Sequence, residues 1–161
     1  MVDDTVIEQD GALIVPAWIG PARMFVLKQG LAYRFGVFML SPDNLAFAAD
    51  EQVLMQERRA DVKIEWPKIL AGGGFYVLTP AKRYAICFGK PFSSAPRPSQ
   101  SSIARSAATL DAISGLGFTA GQDWLPDGTV VSDLFAGVTT RQTAVWFGRS
   151  VASRVRALLD E

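Results

Sequence analysis

The chain has no histidine and a single cysteine among its 161 residues. That excludes histidine-based triads and dyads, histidine metal sites, disulfide frameworks and cysteine zinc clusters by count alone. An excess of charge is missing too, since sixteen basic and sixteen acidic side chains cancel. Nucleic-acid binders draw much of their affinity from surplus positive charge, so no nucleic-acid partner is expected. Nor is there a long apolar run. The most apolar N-terminal stretch, Ala12 to Leu27, follows acids rather than a basic region and is broken by Pro16, Gly20, Pro21 and Arg23. It reads as neither signal peptide nor membrane span. With Cys87 alone in the apolar run Tyr84-Ala85-Ile86-Cys87-Phe88, a reducing cytoplasm is the expected location.

What is present is the balance of a globular chain, 49% hydrophobic and 20% charged, which excludes wholesale disorder and fits one domain. Charge is unevenly placed: residues 1–10 carry Asp3, Asp4, Glu8 and Asp10 without a base, and residues 141–156 carry Arg141, Arg149, Arg154 and Arg156 without an acid. The two ends could attract each other, or each could be an ordinary solvated face.

From about residue 12 to 90, short apolar runs are punctuated by turn residues, the pattern of compact antiparallel β structure. Met24 to Leu27, Leu31 to Phe35, Gly36 to Leu40 and Leu45 to Phe47 read as strands, with Ser41-Pro42-Asp43-Asn44 as a hairpin turn. Val62, Ile64 and Trp66 alternate with Lys63 and Glu65, giving a half-buried strand that Pro67 ends. Gly73 to Thr79, the turn Pro80-Ala81-Lys82, and Arg83 to Phe88 form a second hairpin. The total is six or seven strands. Pro91, Pro96 and Pro98 among serines mark a connector. A serine cap then opens a helix over about 102–114, with Ile103, Ala107, Leu110 and Ile113 on one face and Gly115 as its stop. A final amphipathic helix extends to about Leu159. Its apolar stripe holds Phe147, Val151, Val155, Leu158 and Leu159, with Arg149, Ser153 and Arg156 opposite. Trp146 projects near the polar side, which suits either cover by another element or a partner.

The run Gly36-Val37-Phe38-Met39-Leu40-Ser41-Pro42-Asp43-Asn44-Leu45-Ala46-Phe47 resembles the strand–turn–strand signature of GRAM domains in the PH-like superfamily. Ile64 to Phe88 is similar to the paired late strands of such domains, and the helix from Ser102 falls where their closing helix would be. The resemblance spans residues 20–114. It implies a mainly β fold: a split barrel of about seven antiparallel strands capped by a helix, with residues 1–114 as the barrel unit. Residues 115–161 would be a C-terminal extension packed on the same domain. It also implies a non-catalytic binding or scaffolding module that contacts a membrane component or a protein partner. Lys28 and Arg34 stand where phosphoinositide-binding relatives carry their basic pattern, and Lys82 and Arg83 complete the expected headgroup set. For a protein partner the candidates are Trp146, Arg149 and Arg156. Two alternatives stay open: a homo-oligomer assembled through the C-terminal helix, or a barrel enclosing a small apolar ligand.

Other chemistry is weaker. Gly72-Gly73-Gly74 enters a strand rather than a helix and lacks the Lys-Ser/Thr of a phosphate loop, so it reads as a strand bend. Cys87 has no histidine to activate it and reads as a buried strand thiol. Asp123, Asp127 and Asp133 lack the spacing of a calcium loop. Lys63, Lys68, Lys82, Arg83 and Lys90 are interspersed with Glu57, Asp61 and Glu65, as in ordinary cross-strand pairing. No catalytic residue, metal or cofactor is expected.

Overall fold

The computed structural model describes residues 7–9, 12–22, 33–68, 73–88, 100–114, 152, 153 and 155–160. Among the described residues eight strands form in chain order: β1 (Ile7–Gln9), β2 (Ala12–Pro21), β3 (Arg34–Leu40), β4 (Asn44–Ala49), β5 (Gln52–Arg58), β6 (Lys63–Glu65), β7 (Gly74–Leu78) and β8 (Arg83–Cys87). One helix, α1 (Gln100–Ser114), follows, and residues 152, 153 and 155–159 are helical again. All strand pairs are antiparallel, in the spatial order β5-β4-β3-β2-β8-β7-β6, with β1 added beside β2.

The hub is β2, which sequence reading broke at its prolines and glycine. One edge pairs with β3 from Leu13 to Ile19; the other pairs with β1 near its start and with β8 from Trp18 to Pro21. Pro16 falls between those two partners, where that edge has no ladder and needs no donor. Gly20 lies beneath the Tyr33 ring, which would stand 2.7 Å from any Cβ there. Gly36 on β3 is equally constrained, because a Cβ would meet the Ala48 carbonyl oxygen of β4 at 2.0 Å. Only glycine lets those two backbones approach so closely.

Met55 of β5 and Ile64 of β6, at opposite ends of the strand order, pack with one interior cluster, so the sheet is rolled into a half-barrel. Its seam lies between β5 and β6, which the chain crosses through a 3-10 turn at Arg59–Asp61. Alternation assigns the side chains. Leu13, Val15, Ala17 and Ile19 of β2 point inward with Phe38, Phe47, Phe75 and Phe88, while Ile14 and Trp18 point outward with Phe35, Val37 and Met39. Inside, the Phe38 ring meets Phe75 edge-on at 5.6 Å and Phe88 at 6.0 Å.

Both faces are covered. Val155 of the C-terminal segment is buried in the inner cluster with Leu158 and Leu159 packed against it, so the expected stripe faces the core at these three positions, and Ala152, outside that stripe, is buried with them. Arg59 donates from Nη2 to the carbonyls of Leu158 and Leu159 at 3.1 and 3.2 Å, occupying acceptors that a helix end leaves free. The outer face of β3 and β4 is covered by α1 through Ile103, Ala107 and Leu110. The predicted stripe stops there, since Ile113 is 38% exposed.

A polar latch fixes α1 to the β4–β5 turn. Asp50 sits in that turn with φ 52°, a left-handed conformation that Asp tolerates better than most residues. Its N–H donates to the Ser106 hydroxyl at 2.8 Å and its carbonyl accepts from Thr109 at 2.7 Å. Its carboxylate accepts from Ser102 at 2.8 Å and from Arg105 Nη2 at 3.1 Å. Residues 102, 105, 106 and 109 share one helix face, so a single turn residue engages four α1 side chains.

Candidate functional site

Three of the four cations expected to meet a headgroup converge on one cleft. Arg34 opens β3, opposite Ile19 of β2. Lys82 and Arg83 lead into β8 from a tight turn, in which the Thr79 N–H donates to the Lys82 carbonyl at 2.8 Å and the Lys82 N–H donates to Thr79 Oγ1 at 2.9 Å. Proline at the second turn position pre-sets this geometry, which carries the two cations to the strand start. Together with the end of β2, these segments border a cleft of about 550 Å³ at the mouth of the barrel.

The rest of its lining is mostly apolar: Ile19 and Pro21 from the end of β2, Ala22 just after it, Ala81 from the turn and Leu54 from β5, with Tyr84 of β8 adding one hydroxyl. Leu54 reaches it through a β-bulge. Phe47 pairs with Met55 and Ala48 with Val53, so Leu54 is the extra residue, turned to the inner side beside Met55. Sequence reading did not find Leu54. The available signal was Val53-Leu54-Met55, three apolar residues in a row where a half-buried strand would alternate.

The electrostatics favour an anion. None of the described residues lining the cleft is acidic. Among the described residues, Lys82 and Arg83 have no ion-pair partner, and both are exposed. Arg34 donates from Nη1 to Gln52 Oε1, which steadies its guanidinium without neutralising it. Asp50 feels Arg34: its carboxyl is held below its ordinary pKa first by the Ser102 hydrogen bond and then by Arg105, with Arg34 contributing less. Tyr84 is pushed upward by burial and by the charge of Glu57, so its phenol remains protonated and able to donate.

Of the other expected site residues, Lys28, Trp146 and Arg149 lie outside the described residues, as do Gly72, Lys90, Asp123, Asp127 and Asp133. Arg156 lies over the Trp66 ring, 5.1 Å from its centroid, and does not line the cleft. Of the charges expected to pair across strands, Lys63 meets Glu65 of its own strand at 3.2 Å and Asp61 meets Arg58 at 3.7 Å. Cys87 is a buried strand thiol whose pKa burial pushes up to about 12, despite a hydrogen bond with Tyr33 that works the other way. It therefore carries almost no thiolate at neutral pH.

Among the described residues no group of three or more His, Cys, Asp or Glu side chains could hold a metal ion. No helix among them is long and apolar enough to cross a membrane. The chain matches no family model, no curated protein and no solved structure.

Proposed function

We propose that this chain is a non-catalytic binding module of PH/GRAM type that contacts an anionic membrane component through the cleft at the barrel mouth. The observation that carries this reading is the convergence of Arg34, Lys82 and Arg83 from two distant parts of the chain onto one cleft whose described lining has no acid. Lys82 and Arg83 have no ion-pair partner among the described residues, and an anionic ligand would relieve their repulsion while supplying charge-assisted hydrogen bonds. The antiparallel order of seven strands followed by a helix is compatible with the resemblance drawn from the Gly36 to Phe47 run.

The test is co-sedimentation with anionic and neutral vesicles at low and physiological salt, comparing the wild type with Lys82→Glu/Arg83→Glu. Retention on anionic vesicles should fall with salt and drop at least about tenfold in the variant, each lost surface contact being worth roughly 1 kcal/mol. Equal retention of the two proteins, or equal retention on neutral vesicles, would remove the cleft from membrane contact.

A further inference from the structure

The cleft is built for more than a charge. Beside its three cations the cleft is lined by Ile19, Pro21, Ala22 and Leu54, which offer no side-chain hydrogen-bonding group. A tetrahedral oxyanion fills only a few times a water's share of liquid volume, about 30 Å³, and leaves most of a cleft of about 550 Å³ empty. Away from the cations a larger polar headgroup would meet one side-chain hydroxyl, that of Tyr84, and would leave its other hydroxyls without side-chain partners. An apolar chain has no such cost.

The bulge points the same way. An extra residue in β5 costs ladder pairing, and its effect here is to bring Leu54 to the inner side next to Met55, where it becomes part of the cleft wall. Bulges are common on edge strands such as β5 and beside binding sites, where they re-aim a side chain.

We infer that the cleft takes a single anionic amphiphile, its phosphate or carboxylate head on Arg34, Lys82 and Arg83 and the first part of its apolar chain on Ile19, Leu54 and Tyr84. This deepens the proposed function and rests on it: the membrane component would be held by head and chain together, not by its head alone. Shared chemistry admits two sources, a lipid in a bilayer or a free single-chain amphiphile.

Calorimetric titration of the full chain with inorganic phosphate and with ethyl, butyl, hexyl and octyl phosphate, all kept below micelle formation, tests it. Each buried methylene is worth roughly a factor of three to four in affinity, so octyl phosphate should bind at least about thirtyfold tighter than inorganic phosphate, with affinity climbing along the series. Lys82→Gln/Arg83→Gln should weaken every member by a similar factor. Leu54→Ala should flatten the climb and leave inorganic phosphate unchanged, its unfolding midpoint confirming that the fold persists. The wild-type series needs no variant, so the inference stays testable if either variant fails to fold. Equal affinity along the series would overturn the inference while leaving the cationic cleft in place. Octanol or octyltrimethylammonium binding as tightly as octyl phosphate would overturn the head assignment. Absence of binding by any phosphate would overturn both the inference and the function it rests on. Anionic vesicles competing with octyl phosphate would identify the bilayer as a source of the chain; vesicles that bind without competing would overturn the inference for membrane lipids.

Discussion

The two faces of the rolled sheet are sealed by different physics. The inner face is closed chiefly by non-directional packing: Phe38, Phe75 and Phe88 interlock and the C-terminal segment adds Ala152 and Val155, while Arg59 holds only the end of that segment through the Leu158 and Leu159 carbonyls. The outer face pairs a smaller apolar contact, Ile103, Ala107 and Leu110 on β3 and β4, with a directional latch centred on Asp50. Ser106, fully buried, is the polar group at the centre of that contact. Apolar packing supplies stability but tolerates sliding, whereas hydrogen bonds to a fixed turn select one register. The inner core therefore holds the barrel together, and the latch decides where α1 sits upon it.

This division can be broken from either side. Phe75→Ala should have the largest effect, about 3–5 kcal/mol from lost burial and a residual cavity, seen as a large drop in the denaturation midpoint with exchange rising across all strands. Next, Ser106→Ala should cost about 1–3 kcal/mol, because the Asp50 N–H loses its acceptor. Its signature is local: faster amide exchange in α1 and the β4–β5 turn than in β7 and β8, and a uniform rise across all strands would show that the latch is not a separate unit. The smallest effect is on acid response. Asp50 is depressed below its ordinary 3.8, so its contribution is complete above that value and is lost as pH falls through the folded-state pKa. The wild type should thus lose stability in that acidic window more steeply than Asp50→Asn, whose unchanged acid profile would show that the carboxylate's charge contributes little.

The outline of the fold was legible because its strands obey local rules. Val62, Ile64 and Trp66 alternate, and all three pack against the inner core. Ser41 to Asn44 forms the expected turn, with Ser41 N–H donating to the Asn44 carbonyl at 2.9 Å. The helix was placed within two residues of its observed start. By contrast, Ala12–Pro21 was not read as a strand, because Pro16, Gly20 and Pro21 each oppose one. Their tolerance depends on the gap between β1 and β8 and on the Tyr33 ring over Gly20, neither of which is a local property. The candidate cations were recognisable by type. Their shared cleft was not, because Arg34 and Lys82 are joined there only by the pairing of β2 with both β3 and β8.

Sequence alone determined the chemistry that is unavailable, the antiparallel β class and the side chains that could meet an anion, since these follow from composition, a period of two and residue type. Tertiary structure alone decided that β2 runs through its prolines, that α1 is fixed by Asp50, and that a bulge places Leu54 beside three cations. Each of those depends on groups distant in the chain, and contact between distant groups is set by how the whole sheet curls, which no local pattern encodes.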